Sequence, residues 1–473
     1  MTSNTLSRRS LLAHGGGAVV VAMVAGHAVF AQSTGGAVRS ATAITEVFGD
    51  GPKLTAVALE YNRPVAGAKL SATGFRVEGR TVTRVFTSAT ADPAQAAPTG
   101  NFVIVALSPD DPAASLKMGG PGGGPSGPGG PPGGGPGGPP GGPGGPPGGP
   151  GGPGGAPGGP GGSRGVRGPL FKQASAAVTQ VGPVVAADGK AIPAVAAAMT
   201  TGASRTLIVD DFQQAVFNDP KTGKSLPYNL FVPKGYDRTK RYPLVIFMHD
   251  AGVTGTDPLI TLKQGLGAVA WASPADQAKH PCFVLAPQYA GQMADQQGGD
   301  TSIAETTIHL VEQIASTYSV DQRRLYTTGQ SGGAMLSIVM NILRPDYFAA
   351  SFLVAGQWDA AEVKPLARKK LWIVVSEGDE RAFPGENAMV AVYKAQGAKV
   401  SQTTWDGRAS PVDLSGQAAR LAAEGSPINY VVLRKGTVVP PPQQDNAPAN
   451  HTNTWRIAYA IPGIRDWIFE QRN

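Results

Sequence analysis

Only one cysteine, Cys282, occurs in the 473 residues, so no intrachain disulfide can form and metal centres built on clustered thiolates are excluded. Dense positive charge is also missing. The formal net charge of +7 is spread out, without the runs of Lys and Arg interleaved with aromatics that nucleic-acid binding needs. Nucleic acid is therefore not an expected partner. Beyond residue 31 no stretch approaches the roughly 20 apolar residues that span a bilayer, so no membrane contact is expected once a leader is removed. There is no HExxH pair, and neither a metal nor an organic cofactor is expected.

What the chain has in excess is 65 glycines and 42 prolines. Many of them fall between 119 and 163, in GGP and GGPP units whose period slips too often for a collagen helix. Such a segment has no side chains with which to offset ordering entropy, and a disordered insert is expected there. At the N-terminus, Ser7-Arg8-Arg9-Ser10-Leu11-Leu12 precedes a Gly/Ala/Val-rich apolar stretch and small residues around Ala31. That order resembles a twin-arginine export signal over 1–31, which implies a periplasmic or secreted mature protein.

The length predicts more than one domain. From 38 to 207 the chain shows short apolar and β-branched runs, such as Ala56-Val57-Ala58-Leu59 and Phe102-Val103-Ile104-Val105, broken by Gly, Pro and Asp. This is the pattern of a small β-sandwich interrupted by the 119–163 insert. From 208 to 473 apolar runs alternate with helical stretches, which predicts an α/β fold with a mostly parallel sheet and helices on both faces. Strands are expected at 244–248, 282–285, 325–328, 351–354 and 371–375. A helix is expected from Thr301 to Tyr318, with Ser302 and Glu305 at capping-box spacing, and a last one over Trp455–Phe469.

Gly329-Gln330-Ser331-Gly332-Gly333 matches GxSxG, in which glycines let a serine sit on a sharp turn between a strand and a helix. Gly161-Gly162-Ser163-Arg164-Gly165 matches too, so the pattern alone does not identify a site. Context does: Ser331 has a strand before it and an apolar helix after it, whereas Ser163 ends a low-complexity stretch. A serine hydroxyl needs a base to become a nucleophile, and the α/β-hydrolase order of Ser, acid, His requires a histidine beyond 331. Only His451 qualifies, in a polar stretch read as a loop before the last helix. His280 and His309 are read as structural, and His249 as a packed strand-end residue.

The acid that orients the histidine should follow a strand between the two, and Leu371–Val375 runs into Ser376-Glu377-Gly378-Asp379-Glu380. Asp379 is the choice, with Glu377, Glu380 and Asp359 as rivals. Oxyanion donors are expected at the Gly332 amide and at Ala251 in His249-Asp250-Ala251-Gly252. Asp250 departs from the usual glycine-rich form of that loop. Its carboxylate must turn away from the oxyanion, holding backbone N–H groups instead.

These segments, with Tyr228–Pro233, Ala286-Pro287-Gln288-Tyr289 and Asn450-His451-Thr452-Asn453-Thr454-Trp455, resemble bacterial esterases that carry an N-terminal immunoglobulin-like domain. The likeness covers nearly all of the mature chain except the Gly/Pro insert. It implies an immunoglobulin-like identity for the sandwich and a carboxylesterase using Ser331, Asp379 and His451 on a small-molecule or polymer ester. A peptidase with the same three residues and a non-catalytic polymer-binding protein remain open alternatives, and oligomeric state is not legible.

Overall fold

The computed structural model describes residues 37–118, 170–291, 293–294 and 301–473. The expected leader at 1–31 and the Gly/Pro segment at 119–163 lie outside them. Up to Thr206 the described chain forms small sheets. A five-stranded sheet runs Ala203–Thr206, Val38–Phe48, Gly51–Ala66, Thr99–Leu107, Val82–Ser88, beside a three-stranded sheet of Phe75–Val77, Ala177–Gln180 and Val195–Thr200. Side chains alternate across a strand, so Val57, Leu59 and Tyr61 enter one core with Val103 and Val105, while Ala56 and Ala58 face the opposite side with Ile44 and Ile104. Lys117–Gln173 form a separate unit, within which the Met118 N–H donates to the Leu170 carbonyl at 2.9 Å.

Nine strands form the large sheet: β1 (Gln213–Asn218), β2 (Ser225–Phe231), β3 (Tyr242–Met248), β4 (Phe283–Pro287), β5 (Val320–Gln330), β6 (Ala350–Val354), β7 (Leu371–Ser376), β8 (Val400–Trp405) and β9 (Ile428–Leu433). Their order is β1-β2-β4-β3-β5-β6-β7-β9-β8. The β1–β2 and β2–β4 pairs are antiparallel and all the others parallel. Every residue of β3, β4, β6, β7 and β9 is buried, which requires cover on both faces of the sheet and explains why these strands are continuous apolar runs. This is the α/β-hydrolase architecture expected from the sequence.

Among the helices that pack on the sheet are α1 (Ser302–Thr317), α2 (Gly332–Leu343), α3 (Ala382–Ala395), α4 (Ala447–Ala458) and α5 (Pro462–Glu470). Two expectations are corrected here. The capping box does not form: α1 starts at Ser302 itself, behind a helical Thr301 that makes no side-chain cap. The last helix is two helices, because Pro462 has no N–H to continue α4 and instead opens α5. The earlier start of α4 places His451 on a helix and not in a loop. Asn446 caps it by accepting from the Ala449 N–H at 2.9 Å, and Pro448 suits the first turn.

Register brings the C-terminal ends of the central strands level. Met248 of β3 pairs with Gly329 of β5, Gln330 with Val354 of β6, Val354 with Val374 of β7, and Ser376 with Leu433 of β9. Open parallel sheets place their chemistry at that edge.

Candidate active site

Ser331 follows β5 directly and takes φ 51°, ψ −119°, a conformation that side chains other than glycine rarely adopt. The neighbouring glycines make the turn possible. A Cβ on Gly329 would lie 2.4 Å from the Gly333 carbonyl carbon, and one on Gly333 would lie 2.0 Å from the Met248 oxygen. No side chain fits at either position, which is the physical content of the two outer glycines in GxSxG.

His451 reaches Ser331 from α4. Its Nε2 lies 2.8 Å from Ser331 Oγ and its Nδ1 lies 2.5 Å from Asp379 Oδ2. With the carboxylate accepting from Nδ1–H, Nε2 is left free to accept the serine proton. Asp379 is buried, and its other oxygen accepts from the Arg381 and Ala382 N–H groups at 3.1 and 2.9 Å. Burial pushes the Asp379 pKa up, but the hydrogen bond and charge of His451, with the two backbone donors, outweigh it and leave the carboxyl below its ordinary range. The rival acids are elsewhere: Glu377, Glu380 and Asp359 are exposed, with Glu377 accepting from the Lys435 N–H.

The Ala251 and Gly332 amides are close neighbours. Ala251 N lies 3.4 Å from where a Cβ on Gly332 would stand, and among the described residues neither N–H has an acceptor. Both open helical turns, whose first N–H groups have no partner in their own helix. Asp250 turns away as expected. Its Oδ1 accepts from the Gly252 N–H at 2.7 Å and its Oδ2 from Gln330 Nε2 at 3.0 Å. His249 is fully buried, and its Nε2 accepts the Tyr289 N–H at 2.9 Å, which fixes the proton on Nδ1, donating to the Asp250 carbonyl at 2.7 Å. Burial pushes its pKa down, so it stays neutral and locks the loop. His280 and His309 pair with Asp466 and Asp219, away from Ser331.

Three supporting residues were not legible in advance. Gln330, the second residue of the motif, joins the serine turn to Asp250 and also to Gln264 at 3.0 Å. Asn450 accepts from Ser376 Oγ at 2.8 Å, and its amide occupies the space beside Gly378, where a Cβ would come within 2.3 Å of it. It thereby ties the histidine helix to the acid loop. Glu386 is buried in α3 and accepts the Gly356 N–H at 2.9 Å. The one sequence signal for the first two is their place beside Ser331 and His451. Among the described residues no group of three or more His, Cys, Asp or Glu side chains is placed to hold a metal ion, and no helix is long and apolar enough to cross a membrane.

The model of the esterase immunoglobulin-like N-terminal domain family matches residues 40–193. A solved thermostable esterase superposes with a TM-score of 0.67 over 92% of this chain and all of its own, at 24% identity, a likeness of fold. Feruloyl esterase B of Talaromyces funiculosus is 27% identical over 143 residues, 28% of this chain and 36% of that protein. Probable feruloyl esterase C of Aspergillus terreus is 28% identical over 131 residues, 27% of this chain and 46% of its own. The chain thus spans less than half the length of these curated relatives.

Proposed function

We propose that this chain, an α/β-hydrolase carrying an esterase-type immunoglobulin-like N-terminal domain, is a serine esterase whose triad is Ser331, His451 and Asp379. The observation that carries the reading is the single imidazole ring bridging Ser331 Oγ at 2.8 Å and Asp379 Oδ2 at 2.5 Å. Ser331 Oγ attacks the ester carbonyl carbon while His451 Nε2 takes its proton. The carbonyl oxygen becomes an oxyanion that accepts from the Gly332 and Ala251 amides. As the tetrahedral intermediate collapses, the C–O bond to the alcohol breaks and the imidazolium protonates the departing oxygen. Water, deprotonated by the same ring, then attacks the acyl-serine; the bond to Ser331 Oγ breaks, the imidazolium returns the proton to Oγ, and the acid leaves. Asp379 stabilises the imidazolium in both halves without taking a proton.

Neither a metal nor an organic cofactor enters this scheme. The substrate is a small-molecule or polymer carboxylic ester, and the feruloyl esterase relatives make aromatic acyl groups a natural part of the test panel. We read 38–207, interrupted by 119–163, as the accessory domain and 208–473 as the catalytic one. Residues 1–31 direct export through the twin-arginine route to the periplasm or beyond.

The test is hydrolysis of short- and long-chain p-nitrophenyl esters, methyl ferulate and a peptide panel by wild type, Ser331→Ala and His451→Ala. A loss of roughly 10³-fold or more in kcat by both folded variants is expected on esters. Wild type that cuts peptides and not esters would make the protein a peptidase. A folded wild type inactive on both would favour a binding protein.

A further inference from the structure

The ring and carboxylate of His451 and Asp379 connect to Ser331 on one side, and a second set of contacts connects the same two ends from the other. Ser331 N–H donates to Val354 O at the end of β6. The next residue, Ala355, takes φ 49°, so the chain turns sharply there. Gly356 then packs on the serine turn, where a Cβ would lie 2.3 Å from Ala334 Cβ and 3.2 Å from Ser331 O. This turn rests on the first turns of α3. The Gly356 N–H donates to Glu386 Oε1 at 2.9 Å, Gln357 covers Gly385, and the Trp358 N–H points at Met389 Sδ, 3.2 Å away. The start of α3 is in turn held by Asp379, which accepts the Arg381 and Ala382 amides. Nucleophile and acid are therefore joined by a continuous brace in which Glu386 supplies a side-chain hydrogen bond.

We propose that Glu386 is a positioning residue for the ester hydrolysis proposed above: by accepting the Gly356 N–H it fixes the turn after β6 against α3 and so holds Ser331 and Asp379 at their working separation. This rests on the esterase reading and adds a residue to it. Glu386 acts as a neutral acid. It is completely buried, and among the described residues Oε2 has no hydrogen-bond partner. An ionised carboxylate there would be an unpaired buried charge beside Asp379, which is far costlier than a buried carboxylic acid. The groups facing it are Asp379 from the acid loop, Tyr393 from its own helix and Tyr430 from β9, none of them a cation. Burial holds its pKa well above the ordinary carboxyl value, with Asp379 adding to the rise and the Gly356 amide opposing it.

The role is to place groups, so it asks for an acceptor of the right length and no charge. Glu386→Gln provides that, and Glu386→Met keeps the length and volume while deleting the acceptor. Wild type and Ser331→Ala are assayed first on p-nitrophenyl butyrate: an inactive wild type defeats the esterase reading and this role with it, whereas a failure of this role alone shows only in the Glu386 variants. Given an active wild type, Glu386→Gln is expected to keep kcat within about twofold and to superimpose on the wild-type pH profile. Glu386→Met is expected to lose roughly tenfold or more in kcat, with thermal unfolding near wild type, because small misplacements at a reacting centre cost up to about 100-fold. Full activity in a folded Glu386→Met overturns the proposal. So does a shifted acid limb in Glu386→Gln, which would mean that a negative charge next to the Asp379–His451 pair had been removed. If Glu386→Met fails to fold, the glutamine variant alone decides: an unshifted, fully active profile supports the neutral pin, and a shifted or depressed one refutes it.

Discussion

The loop after β3 and the loop after β7 are built alike and do different work. Each puts an aspartate just past a buried strand, and each aspartate uses Oδ1 to hold its own turn: Asp250 accepts from Gly252 N–H, and Asp379 from Arg381 and Ala382 N–H. Each then offers Oδ2 to another segment. Asp250 meets the Gln330 amide, whereas Asp379 meets the His451 ring. An amide donates a proton it never gives up, so Asp250 only fastens the serine turn to the loop after β3. In the proposed mechanism the imidazole gains a proton, and there the charge on Asp379 acquires a chemical role. The partner, and not the aspartate or its turn, separates a structural pin from an electrostatic one.

The sharpest way to break this parallel is one substitution made at both places. Asp379→Asn keeps an oxygen for the α3 amides but presents an NH2 or a misoriented acceptor to His451 Nδ1, so the ring loses its required tautomer. A fall of roughly 10³- to 10⁴-fold in kcat on a p-nitrophenyl ester is expected, with KM and thermal stability little changed. Asp250→Asn keeps the acceptor for Gly252 but turns an NH2 toward the Gln330 Nε2 donor and loses that one hydrogen bond, so its kcat should fall by less than about tenfold, well short of the cost of losing an oxyanion donor. Equal losses in the two variants would mean that the two aspartates are not distinguished by their partners.

The same distinction explains what could be read in advance. Buried strands are continuous apolar runs set by the need for cover on both faces, so β3, β4, β6 and β7 are visible in the sequence, as is the α/β-hydrolase order of Ser331, Asp379 and His451. Ser331 stands out because two glycines have no room for a Cβ, a constraint that leaves a mark in the residue types themselves. Contacts between distant segments leave none. Gln330, Asn450 and Glu386 act through partners 80, 74 and 30 residues away, and nothing local marks such a residue. The His451 segment looks like a loop in the sequence for a related reason. Its Pro, Asn and Thr residues look loop-like, but Asn446 and Pro448 are helix-start residues, and the buried Ala449, Asn450, Asn453 and Thr454 show that packing against the protein carries the helix past its poor propensity.

Asn446 extends the comparison to a third aspartate-like position, and it yields the smallest effect. Like Asp250 and Asp379 it accepts a nearby backbone N–H through Oδ1, here from Ala449 at 2.9 Å, but it is neutral and stands at the start of the helix that bears His451. A cap needs an acceptor and not a charge, so Asn446→Asp should leave kcat nearly unchanged. The added charge lies at the positive end of α4, which favours it. Asn446→Ala removes the acceptor and should cost about 1 kcal/mol of stability, read as a lower urea midpoint at unchanged slope. The drop in kcat should stay within a few-fold, because the Asn450 bridge to Ser376 still ties α4 to the acid loop. A loss of activity in Asn446→Ala as large as that of Asp379→Asn would place the cap among the groups that set the geometry of His451, and the division between turn-holding and charge-supplying carboxamide and carboxylate groups would have to be redrawn.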